Sequence, residues 1–325
     1  MIPLVLNRIA QSVFVMLAVG LIAFSLFRFV GDPIAQMVGQ ETSIEDQDRL
    51  REQLGLNDSI PVQFYRFVKN MATGEFGFSY RTRQPISELI RSRLPATVEL
   101  AFVSLIISLL AGIPAGIYTA IHPDRKSSSA LLLVTLVGVS LPTFVIGISL
   151  IYLFGAQLAW LPTFGRGDTV EIGWWKTNFL TVDGWRSLVL PAITLGLYQL
   201  TLTMRLVRSE MQEVLRTDYL NFAIARGLSW RSIYYRHALK NSMVPVVTII
   251  GLQFGGIIAF AIVTESVFQW PGLGLLFLES IQFVDIPVMS VYLILIAFLF
   301  VVVNLIVDVL YVAIDPRIRV PGAPG

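Results

Sequence analysis

The stretch VMSVYLILIAFLFVVVNLIVDVLYVAI, Val288–Ile314, carries one charged side chain, Asp308, in 27 residues. The hydrocarbon core of a bilayer is roughly 30 Å thick and a helix rises about 1.5 Å per residue, so about 20 apolar residues cross it. A run this long and this apolar reads as a membrane span. Five more windows of the same kind precede it: Ile9–Val30, Val98–Ile121, Leu131–Phe154, Leu188–Val207 and Val244–Val263. The fourth of the six is the weakest, because Thr194, Gln199, Thr201 and Thr203 dilute it. The fold class expected is therefore an all-α integral membrane protein with six transmembrane helices.

Composition agrees. The chain has 325 residues, 55% hydrophobic and 14% charged, with a mean hydropathy of +0.71. Soluble domains carry nearer a quarter charged residues, and a water-soluble fold of this size cannot bury so much apolar surface. Without cysteine, and with only His122 and His237, the chain has no disulfide, thiol chemistry or cysteine-based zinc site. The net charge of +2 gives no reason to expect nucleic acid as a partner. The first apolar run resembles a signal sequence in position only. It is long enough to span and no small-residue cleavage site follows it, so it is expected to be retained.

Orientation follows from the short loops, since Lys and Arg stay cytoplasmic. The segment between the fourth and fifth spans holds Arg205, Arg208, Arg216, Arg226, Arg231, Arg236 and Lys240, whereas Glu265–Pro287 holds no basic residue. Arg125, Lys126, Arg8, Arg317 and Arg319 agree, which puts both termini inside. The long segment Gly31–Pro95 is then outside, and its acidic and basic residues nearly balance. Ser43 starts a helix that runs through Leu54 and stops at Gly55. Phe64, Tyr65, Phe67, Phe76 and Phe78 are expected to pack this segment into a small extracytoplasmic cap. The expected divisions are 1–93 for the first helix plus cap, 94–315 for a five-helix core with a cytoplasmic loop at 205–243, and 316–325 for a short cytoplasmic tail.

Inside that loop lies DYLNFAIARGLSWRSIYYRHALKNSMVP, Asp218–Pro245, too polar for lipid yet helical in pattern. Asp218 suits a helix N-terminus, Ala223 and Ala225 keep one face small, and Gly227 is a natural stop. Ser229 starts the next helix, and Pro245 closes it where the fifth span begins. Such a short helix can dock into a groove on a soluble partner. A charged loop that only fixes topology is the simpler alternative.

This segment resembles the cytoplasmic coupling loop of ABC importer permeases of the peptide branch. Other pieces match in order: Leu54-Gly55-Leu56, Gly74-Glu75-Phe76-Gly77 with Ser79, and Leu94-Pro95-Ala96-Thr97 with Glu99-Leu100. Further on come Leu190-Pro191-Ala192, Thr264-Glu265 with Trp270-Pro271-Gly272-Leu273-Gly274, and Asp308 with Tyr311 and Asp315-Pro316-Arg317. The general importer loop opens with Glu-Ala-Ala, where this chain has Asn221, Phe222 and Ala223.

The resemblance implies the binding-protein-dependent permease fold. It also implies coupling to ATPases through Tyr219, Ala223, Ala225, Arg226 and Gly227. The expected partners are a second homologous permease, two ATPase subunits that use ATP and Mg, and an extracytoplasmic binding protein. No cofactor is expected on this chain. The expected location is the bacterial inner membrane.

Charged residues at span edges are the remaining site candidates. Glu265 and Asp308 are gate or pathway candidates, because charge at membrane depth is costly and marks function. The alternative reading, in which Glu265, Asp308 and Arg28 are solvated or snorkel at the interface, is preferred for each. Pro114, Pro142 and Pro191, with Gly112, Gly138 and Gly196, interrupt inner spans, either as kinks lining a cavity or as ordinary packing.

No P-loop, H-E-x-x-H, CxxC or Ser/His/Asp set is present, so the chain is not expected to be an enzyme. A secondary transporter needs mid-span carboxylates or inverted repeats, and the sequence shows neither. The function expected is the pore-forming subunit of an ATP-driven importer for di- or oligopeptides. Nickel, glutathione or another small solute is the alternative cargo.

Overall fold

Apolar residues with no water to solvate their backbone must close hydrogen bonds locally, and a helix does so within one segment. The computed structural model describes residues 2–29 and 56–314, together with Glu45, Arg49, Arg51 and Glu52. Its helices are α1 (Ile2–Phe29), α2 (Ile60–Thr73), α3 (Ile86–Ile121), α4 (Lys126–Ser140), α5 (Thr143–Leu150), α6 (Val182–Leu215), α7 (Asp218–Ala225), α8 (Trp230–Ser232), α9 (Leu239–Val267), α10 (Leu273–Gln282) and α11 (Ile286–Ile314). α5 runs on as a π-helical turn, Ile151–Gln157, and a second such turn, Ile233–Ala238, joins α8 to α9. A two-stranded antiparallel hairpin, β1 (Val170–Ile172) and β2 (Trp175–Thr177), lies between α5 and α6. The helix expected at Ser43–Leu54, its Gly55 stop and the tail from Asp315 fall for the most part outside the described residues.

Five of the six apolar windows are single helices long and apolar enough to cross a membrane. The third is not. It is broken into Lys126–Ser140 and Thr143–Gln157, bent by 108° at Leu141–Pro142. Apolar composition is continuous through the break, so hydropathy is blind to it. Pro142 supplies the cause, because it has no N–H for the carbonyl of Gly138 and its ring clashes with a continuing helix.

The chain divides into two compact units. The first is 1–95 with 272–301. There α2 packs on α1 through Phe24–Phe64 at 5.5 Å, Phe24–Phe67 at 5.7 Å and Phe27–Phe67 at 6.2 Å between ring centroids. Phe76 packs against Ile86, Leu273 and Val291. Tyr65 and Phe78 stay exposed, at 70% and 62%. The aromatic residues expected to form a cap of their own are thus divided, with Phe64 and Phe67 on the first span. In the same unit Asp285 accepts hydrogen bonds from the hydroxyl of Ser79, from Tyr80 N at 3.1 Å and from Arg81 N at 3.4 Å. Burial, and then the Asp285 carboxylate, push the Tyr80 phenol up to about 12.

The second unit is 96–271 with 302–325, and α6 is its central helix. Small residues let helices approach closely, as membrane packing favours. A Cβ on Gly116 would lie 2.7 Å from Val207 Cβ and 2.8 Å from the Met204 carbonyl, and one on Gly196 would lie 2.8 Å from the Ser104 carbonyl. Gly112 meets Leu200 O at 3.0 Å in the same way. These glycines serve packing rather than kinks. Thr201 Oγ1 also donates across to the Thr135 carbonyl at 2.8 Å, tying α6 to α4.

Candidate coupling face and candidate gate

Local chemistry defines α7 at both ends. Asp218 in its first turn complements the helix dipole. At the other end Gly227 adopts φ +75°, Gly227 N donates to Ile224 O at 2.9 Å, and Leu228 N donates to Ala223 O at 3.3 Å. That pair of bonds is the Schellman stop, which needs a residue free of Cβ strain at that φ. Ser229 then caps α8, accepting from Ser232 N at 3.4 Å.

Leu220 and Ala223, three apart on one face, are buried against Val207 and Met211 of α6, Ile117 and Ala120 of α3, and Ile233 and Ala238. Tyr219, Phe222, Ile224, Ala225, Arg226 and Gly227 are exposed. The expectation that Ala223 and Ala225 share a small face is corrected. Two residues turn a helix by about 200°, so Ala223 points into the unit and Ala225 away from it.

The outward face is apolar for a polar segment: Tyr219 is 50% and Phe222 64% exposed, and the Arg226 guanidinium lies 5.8 Å over the Phe222 ring. Tyr219 Oη and His237 Nδ1 are hydrogen-bonded at 2.6 Å, joining α7 to the π-helical turn that leads into α9. Pro245 does not close that helix, as the sequence reading has it. It lies inside α9, which is continuous from Leu239 to Val267. Membrane helices accept an interior proline when neighbours satisfy the freed carbonyl.

The far end of the same unit holds the second candidate. Glu265 is 0% exposed and accepts from Thr97 Oγ1 at 2.6 Å. Trp270 N donates to Glu265 O at 2.8 Å and Trp270 Nε1 to Ala96 O at 2.9 Å, so the turn after α9 is fixed on the first half of α3. A solvated or snorkelling Glu265 is therefore excluded; the carboxylate is internal. From Ala238 to Glu265 the helix rises about 40 Å, so Glu265 and α7 mark opposite ends. Asp308 lies on α11, and its side chain is outside the described residues.

Beside Glu265 stands a network that sequence reasoning missed. Glu99, 2% exposed, accepts from Arg166 Nη2 at 2.8 Å, Trp175 Nε1 at 2.9 Å and Asn178 N at 3.1 Å. Arg166 also donates to Lys176 O at 2.7 Å and to the Asn178 side-chain carbonyl. Desolvation pushes the Arg166 guanidinium below its ordinary value, opposed by the Glu99 carboxylate. The one local signal was Gly173, whose φ of +63° makes the two-residue turn between Ile172 and Trp175.

This network also locates the far end of the broken third window. Glu99 lies in the first half of α3, so residues 166–178 lie toward that half, whereas α4 begins at the other end, just after Ile121. The bent pair therefore runs from one end of α3 toward the other, and counting it as one span brings the helices long and apolar enough to cross a membrane to six among the described residues. Within this unit α7 and Glu265 mark opposite ends.

Comparison with known proteins agrees with this architecture. A family model described as "Binding-protein-dependent transport system inner membrane component" matches residues 112–320, and one described as "Binding-prot-dependent transport system membrane comp, N-term" matches residues 1–101. The chain is 35% identical over 335 residues to the dipeptide transport system permease protein DppB of Alkalihalophilus pseudofirmus, covering 98% of this chain and 100% of the relative. It is 36% identical over 320 residues to the glutathione transport system permease protein GsiC of Salmonella paratyphi A, covering 98% and 99%. A solved structure of the MetNI methionine ABC transporter in an inward-facing conformation matches with a TM-score of 0.56 at 15% identity, over 71% of this chain and 99% of that one. That likeness speaks for the fold.

Proposed function

The chain belongs to the family of binding-protein-dependent transport system inner membrane components, and from that membership we propose that it is the pore-forming permease of an ATP-driven importer of short peptides. One observation carries the mechanism. α7 is anchored by Leu220 and Ala223 and turns an unpartnered apolar face outward beside a basic segment. Such a face fits a groove on a soluble ATPase. The Tyr219–His237 bond and the continuous α9 connect that face to the end that holds Glu265.

In this reading the basic α7 end is cytoplasmic. Two ATPase subunits dock there and bind ATP and Mg, while this chain does no covalent chemistry. A second homologous permease completes the pathway, and an extracytoplasmic binding protein delivers cargo at the Glu265 end. Closure of the ATPases moves α7, and the crossings alternate between inward- and outward-open. Peptide cargo is supported by the relatives' names, because dipeptides and glutathione are both short peptides.

Uptake of labelled dipeptide, glutathione and nickel by the complete complex in proteoliposomes tests the cargo. Replacing Ala223 by Trp is expected to abolish uptake and binding-protein-stimulated ATP hydrolysis while insertion continues. Unchanged uptake would remove the coupling role of α7.

A further inference from the structure

Four of the chain's six tryptophans, Trp160, Trp174, Trp175 and Trp185, fall in the segment that joins α5 to the first turn of α6. Three ring pairs organise them: Phe154–Trp160 at 6.0 Å, Trp174–Trp175 edge-on at 5.3 Å and Phe179–Trp185 stacked at 5.2 Å. One indole of each pair is open, Trp160 at 60%, Trp174 at 57% and Trp185 at 45%, and Ile172 and Val182 beside them are 59% and 79% exposed.

The basic groups nearby are engaged within the protein. Arg166 is on Glu99, Lys176 on Glu171 at 2.7 Å, and Arg186 donates to the Trp160 carbonyl at 2.8 Å. What remains outward is aromatic and apolar beside exposed Asp168, Glu171, Lys176 and Arg186, whose charges balance. The patch is also continuous with two crossings. Tyr152 and Leu153, exposed near the end of the third, precede it, and Val182 opens α6.

An indole is favoured where its ring meets hydrocarbon and its N–H meets headgroups. Among the described residues, Trp175 and Trp185 donate to protein acceptors, at 2.9 Å and 3.0 Å, and the N–H groups of Trp160 and Trp174 find none. We infer that this segment is an aromatic ledge seated in the phospholipid headgroup zone of the leaflet opposite α7. The ledge is rigid. The Glu99 network holds it to α3, and Gly165 N donates to Phe268 O at 2.9 Å just beyond α9. Its seat in the lipid therefore sets the depth of both helices.

The chain has no cysteine, so single cysteines at Ile172, Trp174 and Lys176 take a nitroxide at one site when the chain is labelled by itself before assembly with its partner subunits in phospholipid nanodiscs. Oxygen, which partitions into lipid, is expected to collide with labels at 172 and 174 more often than a water-soluble nickel chelate does. The order is expected to reverse at 176, which the strand register puts on the face opposite Ile172. Chelate-dominated collisions at 172 and 174 would place the ledge in water and overturn the proposal. So would shielding from both reagents that appears only when the binding protein is added, since the face would then belong to that protein. A variant that fails to assemble does not rescue the idea. Tryptophan emission of the unaltered chain in headgroup-brominated lipid must also be quenched, and quenching that Trp160→Phe with Trp174→Phe does not diminish refutes it.

Discussion

Removing Arg166 by substitution to Met should strip the Glu99 carboxylate of the one cation paired with it among the described residues while leaving two donors, Trp175 Nε1 and Asn178 N. Both side chains of the pair are nearly inaccessible, at 7% and 2%. Breaking a buried pair from one side costs about 3–5 kcal/mol, because an uncompensated charge stays in low dielectric. The two remaining N–H donors hold the lower half of that range. Glu99→Leu does the opposite damage. It leaves a guanidinium with only neutral acceptors and orphans two N–H groups, each worth roughly 1–3 kcal/mol.

The double variant Glu99→Leu with Arg166→Met deletes both charges. It should cost less than the sum of the singles, by roughly 2–3 kcal/mol. The assay is reversible denaturation of the detergent-solubilised chain, read by tryptophan emission, with all four proteins in one cycle. Singles within about 0.5 kcal/mol of the parent, or strict additivity, would refute the claim that this pair clamps the hairpin to α3.

Three further outcomes follow from named contacts. Gly116→Ala should prevent α3 from seating on α6, since a Cβ there lies 2.7–2.9 Å from Val207 and Met204, whereas a Cβ at Gly20 meets nothing within 4 Å and Gly20→Ala should be neutral; yield of folded protein by size exclusion separates the two. At Gly227 a Cβ meets nothing within 4 Å but φ is +75°, so Asn should retain coupled uptake while Val, strained by about 1–2 kcal/mol, should impair it. Tyr80 has its folded value raised from 10.0 to about 12, so the stability it contributes is full below about pH 10 and is lost as pH rises through the folded value. Absorbance at alkaline pH should show a late tyrosine component, and Asp285→Asn should bring it earlier.

The crossings were legible because lipid demands long apolar runs, but hydropathy reports solvent and not backbone. The apolar window Val98–Ile121 is thus the inner part of a helix that begins at Ile86, and Leu188–Val207 is part of Val182–Leu215. The ends of α7 were legible too, since Asp218 and Gly227 act on their own neighbours. Long-range partners were not. Glu99 and Arg166 are 67 residues apart, and nothing local says that one neutralises the other. Glu265 read as interfacial for the same reason, because Thr97 lies 168 residues away in sequence. Pro142 was visible, yet a proline alone does not say whether a helix tilts slightly or turns by more than a right angle.

That corner at Leu141–Pro142 bears on how the protein can move. Each half of the third crossing is a stiff rod whose own hydrogen bonds end before the joint, so swinging one rod about the other breaks none of them. The rod beginning at Lys126 can therefore stay in place while the one ending at Gln157 pivots. α6 and α9 carry prolines but no such joint, so a push at their ends nearest α7 travels their whole length, whereas the third crossing can absorb it.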